Sequence, residues 1–127
     1  MNGPTLKQVD AVLVRVPSIE EGLAFYVGTL GQTLVWRRDT MAAVRLGDSE
    51  FVLSTELEPE TDLLVDSVSR AVELIVEAGG SMLLEPEPID VGMVAVVTDP
   101  FGNRLTLVDL STGRYETDDE GNVTGVA

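Results

Sequence analysis

The apolar pattern and turn signals of this chain predict one order of elements twice: a strand, a helix and three further strands. The two copies begin about 55 residues apart, with module one over residues 7–56 and module two over residues 60–110. Repetition of a unit of this size indicates two modules packed into one fold. We therefore expect a single α+β domain over residues 1–127, long enough to bury a core without disulfides.

Module one begins with a strand predicted at residues 9–16, where β-branched residues partly alternate. Ser18 is a suitable helix N-cap, and Glu21 three residues later completes a capping box. The helix is expected to run to about Leu30, because Gly31 is a typical C-terminal cap. The predicted apolar face of this helix consists of Ile19, Leu23 and Tyr26, and the three predicted strands cover 33–38, 41–46 and 51–55.

Module two repeats this order with a short strand at residues 63–65. Either Ser67 or Ser69 can cap a helix from about Arg70 to Ala78, which Gly79-Gly80 would end. The predicted apolar positions of the helix are Ala71, Leu74, Ile75 and Ala78, and the predicted strands cover 81–85, 91–98 and 104–110. The polar stretch 111–127 predicts either a small hairpin flanked by Tyr115 and Val123 or a partly ordered tail.

Composition excludes several classes of function. With 22 acidic against 8 basic residues, the net charge is −14, which disfavours nucleic acid and anionic membranes as partners and favours cationic ligands. Without histidine or cysteine, Ser–His and Cys–His catalysis are excluded, and a metal would need Asp, Glu, carbonyl or water ligands. The lack of cysteine, of an N-terminal signal pattern and of a long apolar run predicts a cytoplasmic protein.

Two segments carry a resemblance to a known group of proteins. The first segment, residues 9–26, ends in Phe25-Tyr26 and is followed by Leu30-Gly31. The second segment, residues 98–107, contains the turn Asp99-Pro100-Phe101-Gly102-Asn103. Together they resemble the vicinal oxygen chelate superfamily of glyoxalase I, extradiol dioxygenases, fosfomycin-resistance transferases and bleomycin-binding proteins. The resemblance covers about residues 7–110 and implies a curved mixed sheet around a cleft, and frequent homodimers.

Metal-dependent members of the superfamily use a His on strand one, a His or Glu on strand five and a Glu on strand eight. In this chain those positions fall on Ala11, near Glu60 and on Thr106. A methyl group has no donor atom and a hydroxyl is a poor ligand, so Glu60 would stand alone as a ligand or base. We therefore expect no metal and no cofactor, and the chain is more consistent with binding than with catalysis.

Strand alternation predicts which side chains face the cleft. Ala11, Leu13 and Arg15 would share the cleft face of strand one, while Val12, Val14 and Val16 pack on the helix. Arg104, Thr106 and Val108 would share one face of strand eight, with Leu105 and Leu107 under the second helix. Such a cleft is mostly apolar.

Trp36, the only tryptophan, could stack on an aromatic or cationic ligand or fill the core. Arg15 and Arg45 could bind an anionic group or form structural ion pairs. Two acidic clusters predicted in loops could attract a cationic ligand or simply be solvated; they are Glu56, Glu58, Glu60 and Asp62, and Glu85, Glu87 and Asp90.

These observations favour a metal-independent protein that binds a small, apolar or aromatic molecule, such as an antibiotic or a metabolite. An alternative is a lyase, isomerase or dioxygenase-type enzyme with a displaced all-oxygen metal site or a metal-free acid–base pair. An interaction module, acting as a homodimer, is a third interpretation.

Overall fold

Both halves of the repeat form a four-stranded sheet with a helix. The computed structural model describes residues 3–127. It divides into two units, one made of residues 3–9, 62–114 and 126 and the other of residues 10–61, 115–125 and 127.

Module one contains β1 (Gln8–Arg15), α1 (Ile19–Leu23) continued by a π-helical segment (Ala24–Thr29), β2 (Leu34–Arg37), β3 (Met41–Leu46) and β4 (Ser49–Ser54). Its strands lie in the order β2-β3-β4-β1. β1 runs parallel to β4, and the other neighbouring pairs are antiparallel.

Module two contains β5 (Glu60–Leu64), α2 (Val68–Glu77), β6 (Ser81–Ile89), β7 (Gly92–Thr98) and β8 (Arg104–Val108). Its strands lie in the order β5-β8-β7-β6, again with the first strand of the module parallel to the last. The predicted α+β class and the doubled element order are thereby confirmed. Residues beyond module two form a separate two-stranded hairpin, β9 (Tyr115–Thr117) and β10 (Val123–Val126).

The start and end of the first helix follow the predicted signals. Ser18 is the N-cap: its hydroxyl accepts a hydrogen bond from the Glu21 N–H at 3.1 Å and donates one to the Glu21 carboxylate at 3.0 Å. Gly31 ends the helix with φ = 78°, a left-handed conformation that favours glycine. The π-helical widening after Leu23 was not predicted.

The predicted packing of Val14 and Val16 on the module one helix is confirmed. Val14 and Val16 contact Ile19, Leu23 and Tyr26 in one apolar cluster. Ala11 and Leu13 belong to a second cluster on the other face of the sheet. Because successive side chains of a strand point to opposite faces, one strand contributes to both.

The second helix begins two residues earlier than predicted. Ser67, not Ser69, is the N-cap, and its hydroxyl accepts a hydrogen bond from the Arg70 N–H at 3.3 Å. Two of the predicted core positions are wrong, since Leu74 is 52% exposed and Ala78 is also exposed.

The buried face of α2 is instead Val68, Ala71, Val72 and Ile75, packed on Leu105 and Leu107 of β8. The sequence prediction contained Ala71 and Ile75 of this face. It missed Val68 because it began the helix at Arg70, and it took Leu74 rather than Val72 as a core position. The predicted position of Leu105 and Leu107 under the helix is confirmed.

The strand predicted at 81–85 extends to Ile89 and contains Pro86 and Pro88. Proline is tolerated there because β6 is the last strand in its sheet order and its pairing with β7 shifts register twice. Glu85 and Glu87 therefore lie in a strand, as do Glu60 and Asp62 in β5, so the prediction that these acidic residues occupy loops was wrong. Among residues 3–127, no helix has the length and apolar character needed to cross a membrane.

Candidate ligand-binding face

Three of the predicted binding residues meet on one face of the module one sheet. Ala11, Leu13 and Trp36 are 4%, 5% and 6% exposed and pack with Ala43 and Val52. We call these five residues the Trp36 face. Cross-strand register brings them together, because Leu13 pairs with Val52, Val52 with Ala43, and Ala43 with Trp36.

The indole of Trp36 has a hydrogen bond at its edge and a tilted aromatic ring beside it. Its Nε1–H donates to a carboxylate oxygen of Glu50 at 3.0 Å. The Tyr115 ring lies with its centroid 4.8 Å from the indole, tilted by 56°. Such tilted aromatic pairs are attractive beyond the area that they bury.

Arg38 completes an aromatic stack on this side of the sheet. Its guanidinium carbon lies 5.5 Å from the Tyr115 ring centroid, within cation–π range. Its Nη1 also donates a hydrogen bond to the Tyr115 hydroxyl at 3.2 Å. The phenol of Tyr115 thus has an indole on one side and a guanidinium bound to its oxygen.

A depression of about 710 Å³ adjoins this stack. Its lining comes from the start of α1, from the end of β2 and the residues after it, and from the hairpin: Ser18, Ile19, Glu20, Arg37, Arg38, Asp39, Glu120, Asn122 and Val123. Arg38 and Val123 connect the two features, since Arg38 contacts Tyr115 and Val123 packs against the Trp36 face.

Arg15 and Arg45 lie away from the centre of the Trp36 face. Arg15 pairs with the Glu58 carboxylate at 3.0 Å and donates to the Thr55 carbonyl at 3.2 Å, which is the structural ion pair weighed from the sequence. Arg45 is exposed and stands opposite Glu50 in the register of β3 and β4. Binding of a ligand by either arginine stays a prediction.

The predicted residues of β8 lie in the other unit. Thr106 is buried and Arg104 exposed, and Thr106 pairs in parallel register with Asp62 of β5. Glu60, the strand-five candidate, is an exposed first residue of that strand. Asp62 is therefore the carboxylate level with Thr106, and alternation from Leu63, which faces the helix, would have indicated it.

Asp109 is a buried carboxylate that the sequence reasoning missed. It is 3% exposed and accepts hydrogen bonds from the Val68 N–H at 2.8 Å, the Met93 N–H at 2.9 Å and the Ser111 hydroxyl at 2.7 Å. Burial raises the pKa of Asp109, but hydrogen bonds from Val68, Ser111 and Met93 together outweigh this and hold that pKa below its ordinary value. These contacts give Asp109 a structural role at the start of α2.

The residues present do not fit the metal that the superfamily implies. Ala11 offers a methyl group and Thr106 a hydroxyl at two of the three ligand positions. Within residues 3–127, no three Asp or Glu side chains are grouped so that they could hold an ion. No chemical step can be assigned to a metal at these positions.

Comparison with known proteins places the chain in a family. The family model of the glyoxalase-like domain matches residues 11–108. A probable chloroplastic lactoylglutathione lyase of Arabidopsis thaliana is 29% identical over 120 residues, covering 77% of this chain but 34% of that protein. The chain thus spans about a third of the length of the Arabidopsis relative.

Two further comparisons agree with this match. Lactoylglutathione lyase of Neisseria meningitidis is 28% identical over 123 residues, covering 80% of this chain and 89% of that protein. The structure of methylmalonyl-CoA epimerase from Mycobacterium tuberculosis superposes with a TM-score of 0.68 at 13% identity, over 86% of this chain and 91% of that one. At that identity the likeness shows the fold alone. Because the family model matches well over half of the chain, this protein belongs to the glyoxalase-like domain family of the vicinal oxygen chelate superfamily.

Proposed function

We propose that this protein binds a small aromatic or largely apolar molecule on the Trp36 face, without a metal. The observation that carries the proposal is the convergence of Ala11, Leu13 and Trp36 on one buried apolar surface. Family membership supports it, because the scaffold is retained while Ala11 and Thr106 stand at ligand positions of metal-dependent members.

The chemistry of the face indicates how a ligand would be held. Leu13 and Val52 supply apolar contact, and the indole of Trp36, against which the Tyr115 ring packs, supplies a ring surface for an aromatic ligand. The Trp36 N–H is bonded to Glu50, which fixes the orientation of the indole. Affinity would therefore come from stacking and burial, and polar selectivity from residues at the margin such as Arg38.

Trp36 fluorescence and thermal unfolding test this proposal together. Aromatic metabolites and cationic antibiotics are screened for quenching of the single tryptophan and for a raised melting temperature. Replacement Leu13→Asn should abolish both responses, because it places a polar group on the apolar face. Phe101→Ala is the control, since Phe101 is 85% exposed and lies in the other unit. Loss of binding in both variants, or in neither, contradicts the assignment of the site.

A second candidate function is acid–base catalysis of the lyase or isomerase type, which Asp62 favours. This half-buried carboxylate lies on β5 beside the buried Thr106, where a general base in a partly dry site is chemically competent. The relatives named lactoylglutathione lyase make that activity the first to assay. Turnover that survives in Asp62→Asn, or turnover found only with added metal, would rule out a metal-free role for Asp62.

A further inference from the structure

We propose that Tyr115 acts as an internal ligand, and that the natural ligand is a phenolic ring that displaces it from between Trp36 and Arg38. This rests on the proposed function and names its ligand class. The stack described above provides both recognition elements of a phenol. The ring centroids of Trp36 and Tyr115 are 4.8 Å apart, and the Arg38 guanidinium donates a hydrogen bond to the Tyr115 hydroxyl at 3.2 Å.

Arg38 sets the polarity of the ligand. A guanidinium donates hydrogen bonds and accepts none, so a ligand group that replaces the Tyr115 hydroxyl as its partner carries an acceptor oxygen. A phenol meets this requirement, and its ring can also lie within cation–π range, as Tyr115 does at 5.5 Å. A plain hydrocarbon ring of the same size would pack on Trp36 but could not replace the hydrogen bond that the Tyr115 hydroxyl accepts from Arg38.

The hairpin that carries Tyr115 is held together by its own hydrogen bonds. β9 and β10 pair with each other in a sheet of their own. The turn between them is closed internally, because the Asp118 carboxylate accepts from the N–H groups of Glu120 and Asn122 at 2.9 Å. Gly121 completes the turn with φ = 87°. Displacement of the hairpin would leave these bonds intact.

The hairpin contacts module one along β2, from Leu34 at its start to Arg37 at its end. The Arg37 N–H donates to the Gly121 carbonyl at 2.7 Å, and Arg37 forms an isolated bridge with Asn122. Tyr115 and Val123 supply the apolar contacts with the Trp36 face. The depression beside Arg38 and Val123 gives a ligand a starting place next to the phenol that it must replace.

Tryptic cleavage after Arg114 measures release of the hairpin, since this exposed residue directly precedes Tyr115. The probe is p-cresol, which reproduces the tyrosine side chain, and toluene is the matched probe without oxygen. In the wild-type protein, saturating p-cresol should accelerate cleavage after Arg114 and quench Trp36, while cleavage after Arg70 on α2 stays unchanged. Toluene should accelerate cleavage after Arg114 and quench Trp36 more weakly than p-cresol does.

Replacement of Tyr115 removes the competition between the hairpin and the ligand. Tyr115→Ala should bind p-cresol about tenfold more tightly than wild type, since the ligand no longer displaces a stacked ring. Adding Arg38→Ala should abolish the preference for p-cresol over toluene. Where Tyr115→Ala does not fold, Tyr115→Phe serves instead, because it removes the hydroxyl bonded to Arg38 and should speed cleavage after Arg114.

The outcomes separate this inference from the proposed function. Binding of p-cresol to wild type with unchanged cleavage after Arg114, and no gain in the Tyr115 variants, overturns the displacement of Tyr115 but leaves a ligand site. Quenching by other aromatic compounds but not by p-cresol overturns the phenolic ligand class. If no aromatic compound perturbs Trp36 in wild type or variants, both the inference and the proposed function fail.

Discussion

Replacing Asp109 with alanine should destabilise module two more than any surface substitution. The carboxylate bridges the first N–H of α2, at Val68, and the N–H of Met93 on β7, with distances of 2.8 and 2.9 Å. Alanine leaves both donors without their acceptor in a place where the native side chain is 3% exposed. It also removes a negative charge from the positive end of the helix dipole.

The size of the effect follows from the number of donors left unpaired. A buried unsatisfied donor costs about 1–3 kcal/mol, so the two N–H groups at Val68 and Met93 predict a loss of about 2–6 kcal/mol in the free energy of unfolding. This is a large fraction of the stability of a typical domain. Asp109→Asn should lose less, because the amide keeps one acceptor oxygen but turns an NH₂ group toward the remaining donor.

Urea unfolding followed by circular dichroism measures this loss, with Asp119→Ala as the matched control. Asp119 is exposed, and its replacement removes the same charge from a chain of net charge −14. The control therefore corrects for long-range repulsion. A loss for Asp109→Ala within about 0.5 kcal/mol of the control would refute the bridging role.

The pH dependence of stability gives an independent readout of the same carboxylate. The pKa of Asp109 lies below its ordinary value in the folded protein, because its hydrogen bonds outweigh the opposing effect of burial. Its contribution is therefore complete above the ordinary pKa of aspartate and is lost as the pH falls from there through the lower, folded-state pKa. Asp109→Asn should lack this component of the acid-induced loss, so that its stability difference from wild type shrinks in that range.

Two further substitutions test packing and surface electrostatics. Gly92→Ala should destabilise the protein by about 1–3 kcal/mol, because the new Cβ would collide with the backbone and carboxylate of Asp109. Gly28→Ala is the control and should not destabilise the protein, because the space around its Cβ is open. Equal urea midpoints for the two variants would contradict this prediction. Arg15→Ala should lower the free energy of unfolding by less than about 1 kcal/mol, because the ion pair of Arg15 with Glu58 is solvent-exposed. A double-mutant cycle of Arg15 and Glu58 that gives a larger coupling energy would contradict this prediction.

Much of the fold could be predicted from the sequence because local signals agreed with tertiary packing. The Ser18 N-cap, which is hydrogen-bonded to Glu21, and the Gly31 cap set the limits of the first helix, and both are present. Alternation along β1 and β8 placed Val14 and Leu107 under their helices correctly. These features depend on neighbours in sequence, which a single chain displays directly.

Errors arose where a nonlocal partner decided the structure. The sequence offered both Ser67 and Ser69 as N-caps of the second helix, and the carboxylate of Asp109, 41 residues after Val68, adds an acceptor for the Val68 N–H that favours the earlier start. β6 continues past Pro86 because it has a strand neighbour on one side, β7, in its sheet order. Neither partner is visible in the local pattern.

The sequence predicted the local features of the candidate site but not the contacts between residues distant in the chain. Alternation brought Ala11 and Leu13 to one face, and Trp36 was singled out as an aromatic surface. Tyr115 was seen only as a residue flanking a turn, since its contact with Trp36 spans most of the chain. The position of Asp62 opposite Thr106 was not predicted, because the register of β5 with β8 was unknown from the sequence.

The indole N–H resonance of the single tryptophan offers the most direct test of binding at the Trp36 face. In a ¹H–¹⁵N correlation spectrum of the labelled protein, this one signal reports on the ring that lies against Tyr115 and bonds to Glu50. Titration with p-cresol should shift the signal along a saturable curve. An indole signal that stays fixed to the solubility limit of p-cresol and of other aromatic ligands would contradict binding at this face.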